Sequence, residues 1–371
     1  MKKVIVIDAC STSFGGGLTY LIEFLNNSSN EDYNFEIICS QKITGKLPKS
    51  SKIKLINHPF LNKGIIHRLF FQFFMIDKFI NSNALILMSL NGDYLGKFSP
   101  HIGICQNMLL YEEEKTMGMS ILEKLKFKLL KIRQIKSFNS SKGVIFLSKH
   151  ASNTVLPLIK TKNYEIINFG ISDRFKYESR EMHRIKPFKL LYVSTIHTYK
   201  NQLNLIKGVE ILIKSGINIE LTLVGPIINK RYWNKIASKI SKINNGVNYI
   251  KHIDFIDHEK IHNVYNSNDL FLFPSTCENM PNILIEAMAS KIPILSSNFE
   301  PMPEFLKDNA LYFDPNCILS IKDQILFAIN NYDKLIVNAE NAYKDLKYYT
   351  WKKNFSKTIS FIKKTTNEFQ K

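Results

Sequence analysis

The stretch Thr276–Ala289 reads TCENMPNILIEAMA and sets two carboxylates, Glu278 and Glu286, on either side of a proline and an apolar run. A strand-like run, Leu270–Phe273, comes just before it and ends at Pro274-Ser275-Thr276. Pro281 suits the first turn of a helix, so Glu278 falls in a strand-to-helix loop and Glu286 just over one turn into the helix. A carboxylate in such a loop accepts hydrogen bonds from sugar hydroxyls, and the amides of Asn279 to Ile283 suit a phosphate or an oxyanion. On these residues alone an ordinary account serves equally well: Glu278 as a helix-start carboxylate favoured by the dipole, Glu286 as a solvated helix residue.

Other stretches offer further chemistry. In Thr195-Ile196-His197-Thr198-Tyr199-Lys200-Asn201, Lys200 follows a strand and precedes a helix, where an ammonium meets phosphate oxygens as a point charge. Gly15-Gly16-Gly17 follows the first strand and leads into a helix, so backbone could approach an anion closely. The dinucleotide fingerprint G-x-G-x-x-G is not met there, which disfavours an NAD-type oxidoreductase. Leu221-Thr222-Leu223-Val224-Gly225-Pro226 ends another strand on a tight turn. His258-Glu259-Lys260-Ile261-His262 fits the zincin pattern. It lacks a downstream Gly-x-x-His, and Asp257 as a cap would set His258 at the helix start, spoiling the paired geometry. No metal site is expected.

These residues need elements to hold them. Short apolar runs bounded by turn residues predict strands at Val4–Ile7, Phe35–Cys39, Ala84–Met88, Ile102–Cys105, Gly143–Leu147 and Tyr164–Ile167. A second set lies at Lys189–Ser194, Glu220–Val224, Tyr249–Ile253, Leu270–Phe273 and Ile292–Ser296. Helical spacing runs through Leu18–Leu25, Ile65–Ile80, Ile121–Phe138, Gln202–Lys214, Asn234–Lys242, Glu259–Ser267 and Asn282–Ala289. Such alternation predicts an α/β protein of two doubly wound parallel-sheet domains facing a cleft, with ligands beyond the carboxyl ends of the strands. The boundaries expected are 1–170 for the first domain, 171–188 for a polar linker and 189–347 for the second. Residues 348–371 form a C-terminal helix, with a crossing back to the first domain left open.

The chain's 371 residues are enough for two domains, and 45% are hydrophobic, enough for large cores. Five scattered cysteines with no Cys-x-x-Cys argue against a disulfide framework or a cysteine zinc site. The start MKKVIVIDACS imitates a secretory signal, but its apolar run stops at Asp8 and reads better as a strand. A soluble, cytoplasmic protein is expected. The net charge of +18 points to a polyanionic neighbour. From Glu123 to Lys142 the chain has Lys124, Lys126, Lys128, Lys131, Arg133, Lys136 and Lys142 against one acid. That helix suits an anionic membrane surface. Packing on its own domain with a basic outer face is the competing account. It lacks the aromatic interleaving of a single-strand nucleic-acid platform, so no nucleic acid is expected.

Taken together, the stretches resemble the family 4 retaining glycosyltransferases (glycosyl transferases group 1), of the two-domain GT-B type. YVSTIHTYKN, LTLVGP, DLFLFPSTCENMPNILIEAMASKIPILSSN and FEPMPEFLKDNALYFDP, with Glu304 in its usual place, carry the likeness most strongly. ICQNMLLYE resembles a cleft segment of the N-terminal domain. The resemblance implies a metal-independent hexosyltransferase that moves a sugar from a nucleotide-sugar to a glycan or lipid-linked acceptor. Cell-surface polysaccharide is the expected product: O-antigen, capsule or lipopolysaccharide. It implies Lys200 and Glu278 as catalytic residues, with Lys200 neutralising the leaving diphosphate, Glu278, the amides of Asn279, Met280 and Asn282, and Pro281 around the sugar, and Glu286 on the ribose. Gly16, Gly17, Thr195, Asn201, Gly225 and Pro226 would complete the donor site, and Gln106 and Asn107 would stand on the acceptor side. The nucleotide-sugar is a substrate, so no cofactor is implied. Two departures matter. Many members have an arginine where this chain has Thr195, with Lys230 or Arg231 as candidate replacements, and a histidine where it has Gln106-Asn107. The rival from another class is a non-catalytic protein of the same fold that binds nucleotide-sugar or a membrane surface.

Overall fold

A computed structural model of the chain describes residues 3–29, 32–116, 118–172, 175, 187–257 and 260–370. His258 and Glu259 of the zincin-like stretch, and most of the linker expected at 171–188, lie outside the described residues. Two units emerge: Met1–Tyr111 with Ile121–Gly170 and Thr350–Lys371, and Glu112–Ser120 with Ile171–Tyr349.

The first unit is built on seven strands: β1 (Lys3–Asp8), β2 (Tyr33–Ile38), β3 (Ile53–Ile56), β4 (Ala84–Ser89), β5 (His101–Cys105), β6 (Gly143–Phe146) and β7 (Tyr164–Ile166). All neighbours are parallel, in the order β3-β2-β1-β4-β5-β6-β7. The second unit has β8 (Phe188–Val193), β9 (Ile219–Val224), β10 (Ile250–Ile253), β11 (Leu270–Phe273), β12 (Ile294–Ser297) and β13 (Leu311–Phe313), parallel in the order β10-β9-β8-β11-β12-β13. Both orders reverse direction once, between β1 and β4 and between β8 and β11. Strands flanking these switch points are covered on both faces, so they read as unbroken apolar runs; β11 is Leu-Phe-Leu-Phe, buried throughout. The two strands that sequence patterning missed, β3 and β13, are sheet edges, where short length and half-exposed residues weaken the signal.

The last helix, Trp351–Gln370, belongs to the first unit. It buries Trp351, Phe355, Ile359, Phe361 and Ile362. Trp351 packs on Phe169 at 5.6 Å and Phe355 on Phe24 at 4.8 Å between ring centres. Gly170 is required where this helix arrives: an added Cβ would sit 2.1 Å from the Trp351 nitrogen.

Two helices depart from their expected form. The run Ile65–Ile80 is a helix only over Ile65–Phe74; the chain then turns at Met75 into a 3-10 turn, Ile76–Phe79. The basic helix spans Ile121–Ser140, but its apolar stripe does not pack on the domain. Arg133, Gln134, Ser137 and Phe138 are its buried residues, while Leu122, Leu125, Leu129 and Ile132 are exposed. Among the described residues no helix is long and apolar enough to cross a membrane.

Candidate active site

In the second unit the loops that leave β8 and β11 emerge side by side at the switch point, and they carry Lys200 and Glu278. Their side chains form an ion pair, with only 10% and 12% of their surfaces exposed. Burial opposes the ammonium charge, but the adjacent Glu278 carboxylate outweighs it and holds the Lys200 pKa above its ordinary value. The ammonium also lies 5.1 Å from the ring centre of Tyr199 and 6.0 Å from that of Phe273. The backbone is tied as firmly. The Tyr192 hydroxyl donates to the Lys200 carbonyl at 2.9 Å, and the Thr276 amide and hydroxyl donate to the Tyr199 carbonyl at 2.8 and 3.0 Å.

Beyond Glu278 the chain enters the helix Asn282–Ala289. Pro281 is its N-cap, one position earlier than the first-turn place expected. No side chain caps this end and no acid sits in its first turn, so the positive end of its dipole is left uncompensated and suits an anion. Met280 and Asn279 are buried in the approach, and the Asn282 Oδ1 is buried with no hydrogen-bond partner. Glu286, one turn in, accepts a hydrogen bond from the Tyr265 hydroxyl at 3.0 Å. Burial pushes its carboxyl up to about 7, against the lowering effect of that bond. Glu286 is thus a partly buried carboxylate with a side-chain hydrogen-bond donor, rather than a freely solvated helix residue.

Other expected site residues take more local parts. Gly225 has φ 136°, and an added Cβ would lie 2.2 Å from the Ser194 carbonyl oxygen, so the β8 and β9 exits can meet only if this residue is glycine. Gly225→Ala should cost about 3–5 kcal/mol, a backbone penalty plus a clash with main chain. A urea denaturation midpoint within error of wild type would contradict this. The Pro226 carbonyl accepts from the Ile196 amide at 2.9 Å, and Pro226 itself is exposed. Asn201 adopts φ 58° and gives its side-chain amide to the Pro315 carbonyl at 2.5 Å. Gln202, buried behind it, donates to the Ser194 hydroxyl and the Thr195 carbonyl, each at 2.9 Å. The Thr195 hydroxyl is hydrogen-bonded to Tyr199. Lys230 and Arg231 are exposed at the start of the helix Lys230–Asn244 that follows β9.

In the first unit, Gly15 caps the helix Gly16–Asn26 at φ 70°. A Cβ on Gly17 would lie 3.0 Å from the Gln106 side-chain oxygen, so the glycine turn and the β5 exit meet. The Gln106 side-chain nitrogen is buried without a partner, and Asn107 is committed to its own turn, accepting from the Leu109 amide at 3.1 Å.

Two contributors escaped sequence reasoning. Tyr265 lies in a run read only as helical, and the strand order that sets its helix, Ile261–Asn266, beside Glu286 is not a local signal. Residues Glu112–Ser120, expected in the first domain, group with the second unit. There the Cys277 thiol, beside Glu278, donates to the Glu112 carboxylate; burial first and then that carboxylate push the thiol pKa well up. The Lys115 ammonium stands 4.0 Å over the Phe299 ring.

Residues 173–345 match the family model described as Glycosyl transferases group 1. The capsular polysaccharide biosynthesis glycosyltransferase CapH of Staphylococcus aureus is 31% identical over 206 residues, 52% of this chain and 49% of that protein. The O-antigen chain mannosyltransferase B of Escherichia coli is 23% identical over 176 residues, 47% of this chain and 45% of that protein. The chain thus spans about half the length of the curated relatives it matches. Among solved structures, Anabaena HepE in complex with UDP and glucose matches 98% of this chain and 100% of its own, with a TM-score of 0.74 at 14% identity. Residues 173–345 are thus similar to the glycosyl transferases group 1, and the chain shares the two-domain GT-B fold of the matched structures.

Proposed function

We propose that the protein is a retaining, metal-independent glycosyltransferase. It moves a sugar from a nucleotide-sugar to a glycan or lipid-linked acceptor during synthesis of a cell-surface polysaccharide. The observation that carries this reading is the buried Lys200–Glu278 pair at a switch point, next to an uncapped helix start. The relatives named for capsule and O-antigen synthesis support the product class.

The chemistry follows from charge. As the bond from the anomeric carbon to the diphosphate breaks, negative charge grows on the leaving oxygen. Lys200 and the amides at the start of Asn282–Ala289 are placed to meet it, without a metal. Glu278, released from part of its pairing, accepts from sugar hydroxyls, and Glu286 accepts from the ribose. The acceptor oxygen bonds to the anomeric carbon on the face the phosphate leaves, and its proton passes to a phosphate oxygen, so configuration is retained. Two carboxyl groups straddling the bond, as a hydrolase requires, are not needed. Gly17 and Gln106 are the acceptor-side candidates. Cys10, Cys39, Cys105 and Cys277 are buried thiols outside any disulfide, which fits the cytoplasm or the cytoplasmic face of its membrane.

A thermal-shift screen against UDP-, GDP-, ADP- and dTDP-sugars, run in EDTA, tests this. One donor should stabilise the protein by about 2.7 kcal/mol at a hundredfold excess over its Kd, and Glu286→Ala should abolish the gain. A shift without turnover on any acceptor would favour the non-catalytic binder; no shift from any donor would remove the site as drawn.

A further inference from the structure

Two helices of the first unit turn apolar side chains to solvent. On Ile121–Ser140, Ile121, Leu125, Leu129 and Ile132 recur at helical spacing; Ile121 is 84% and Leu129 60% exposed. On Ile65–Phe74, Ile66 is 78% and Phe74 70% exposed, with Phe70 and Phe73 half open beside them. The helices are neighbours, because the Arg133 guanidinium lies 5.0 Å over the Phe73 ring.

Neither face is a frayed end. Gln72 donates to the Ser11 hydroxyl at 3.3 Å, and Phe71 is buried in the core. On the other helix the Arg133 Nε donates to the Asp93 carbonyl at 2.9 Å, its guanidinium pairs with the Asp93 carboxylate at 3.4 Å, and Gln134 donates to the Asn91 carbonyl at 2.7 Å. The polar edge of the helix is fixed inward, and its apolar stripe is thereby held outward. This inverts the usual arrangement of a surface helix.

Charge decides what covers the stripe. Exposed Lys124, Lys126 and Lys128 flank it, and Lys63 and Lys78 bracket the phenylalanine helix. Protein interfaces are depleted in lysine, and a two-fold contact with a second copy would set the same lysines against each other. Amphipathic helices with leucine and phenylalanine on one side and lysine along the flanks are instead built to lie in the headgroup region. We propose that this two-helix face docks on an anionic lipid bilayer, with Ile66, Phe70, Phe74, Leu125 and Leu129 entering the acyl boundary and the lysines holding headgroups. The proposal is independent of the reaction assigned to the second unit.

Co-sedimentation with vesicles of phosphatidylcholine, with and without phosphatidylglycerol, tests it. The full chain should bind the anionic vesicles at least tenfold more tightly than the neutral ones. Ile66→Ser/Phe70→Ser/Phe74→Ser should lose at least tenfold of that binding, at high salt as well as low. Leu125→Ser/Leu129→Ser, on the other helix, should do the same, and Lys124→Glu/Lys126→Glu/Lys128→Glu should remove the salt-sensitive part. These side chains are exposed, so melting temperatures should hold. Equal binding of both serine variants and the parent, or no preference for anionic vesicles, would overturn the proposal. So would a dimer seen by sedimentation velocity without lipid and dissolved by the serine variants, since a second copy would then be what covers the face.

Discussion

Lys200→Met should lower kcat by about 10²–10³-fold, the loss expected when one preorganised charge is taken from a leaving group. It should also cost about 3 kcal/mol of stability, because Glu278 would be left as a buried carboxylate with its partner gone. The two losses separate by a second substitution. Lys200→Met/Glu278→Leu removes both charges from the buried site, so stability should return towards wild type while transfer stays lost. Glu278→Ala alone has the opposite signature on ligands: the freed ammonium should hold free nucleoside diphosphate more tightly, while the contribution of the sugar to donor affinity falls. Stopped-time transfer assays and urea denaturation on the same variants read both quantities. A Lys200→Met enzyme within threefold of wild-type kcat would end the leaving-group role.

Glu286 should make donor affinity depend on pH. Its carboxyl is held to about 7 in the folded chain, above the ordinary value of 4.5, so the charged acceptor for ribose hydroxyls forms as pH rises through 7. Titration calorimetry should show tighter nucleotide binding at pH 8 than at pH 6, and Glu286→Gln should flatten that dependence. Stability runs the other way. A carboxyl whose folded pKa is raised takes up protons more readily folded than unfolded. Its contribution is therefore full below 4.5 and lost as pH climbs from there through 7. Glu286→Gln mimics the protonated form. Without ligand it should match wild type at pH 4.5 and exceed it at pH 8, by an amount on the order of 2 kcal/mol. Equal melting of the two proteins across that range would show that Glu286 is an ordinary carboxylate.

What the sequence disclosed was whatever is local. Leu270–Phe273, Gln202–Lys214 and Asn282–Ala289 could be bounded to the residue, because each is a short apolar or periodic run between clear turn signals. Lys200 and Glu278 could be placed in strand-to-helix loops for the same reason. That they touch is a fact of strand order: β8 and β11 are neighbours although the intervening strands lie elsewhere in the sheet. Tyr265 reaches Glu286 by the same route, and Glu112 reaches Cys277 only because its segment joins a unit that begins some sixty positions later. Periodicity grouped Leu122, Leu125 and Leu129 on one helix face but carried no sign for which way that face points. The buried Arg133–Asp93 pair decides that, and nothing near Arg133 in the chain announces Asp93.

The return of Trp351–Gln370 to the first unit reverses the order in which the protein is completed during synthesis. A nascent chain usually finishes its N-terminal domain first. Here the ribosome must release residues 171–349, with the whole second sheet, before the helix that covers Phe24 and Phe169 exists. The second unit has all its parts first, and the first waits, its aromatic cluster open, for Trp351–Gln370. Chaperone dependence should accordingly fall on the N-terminal unit, the half of the chain that is translated earliest and closes last.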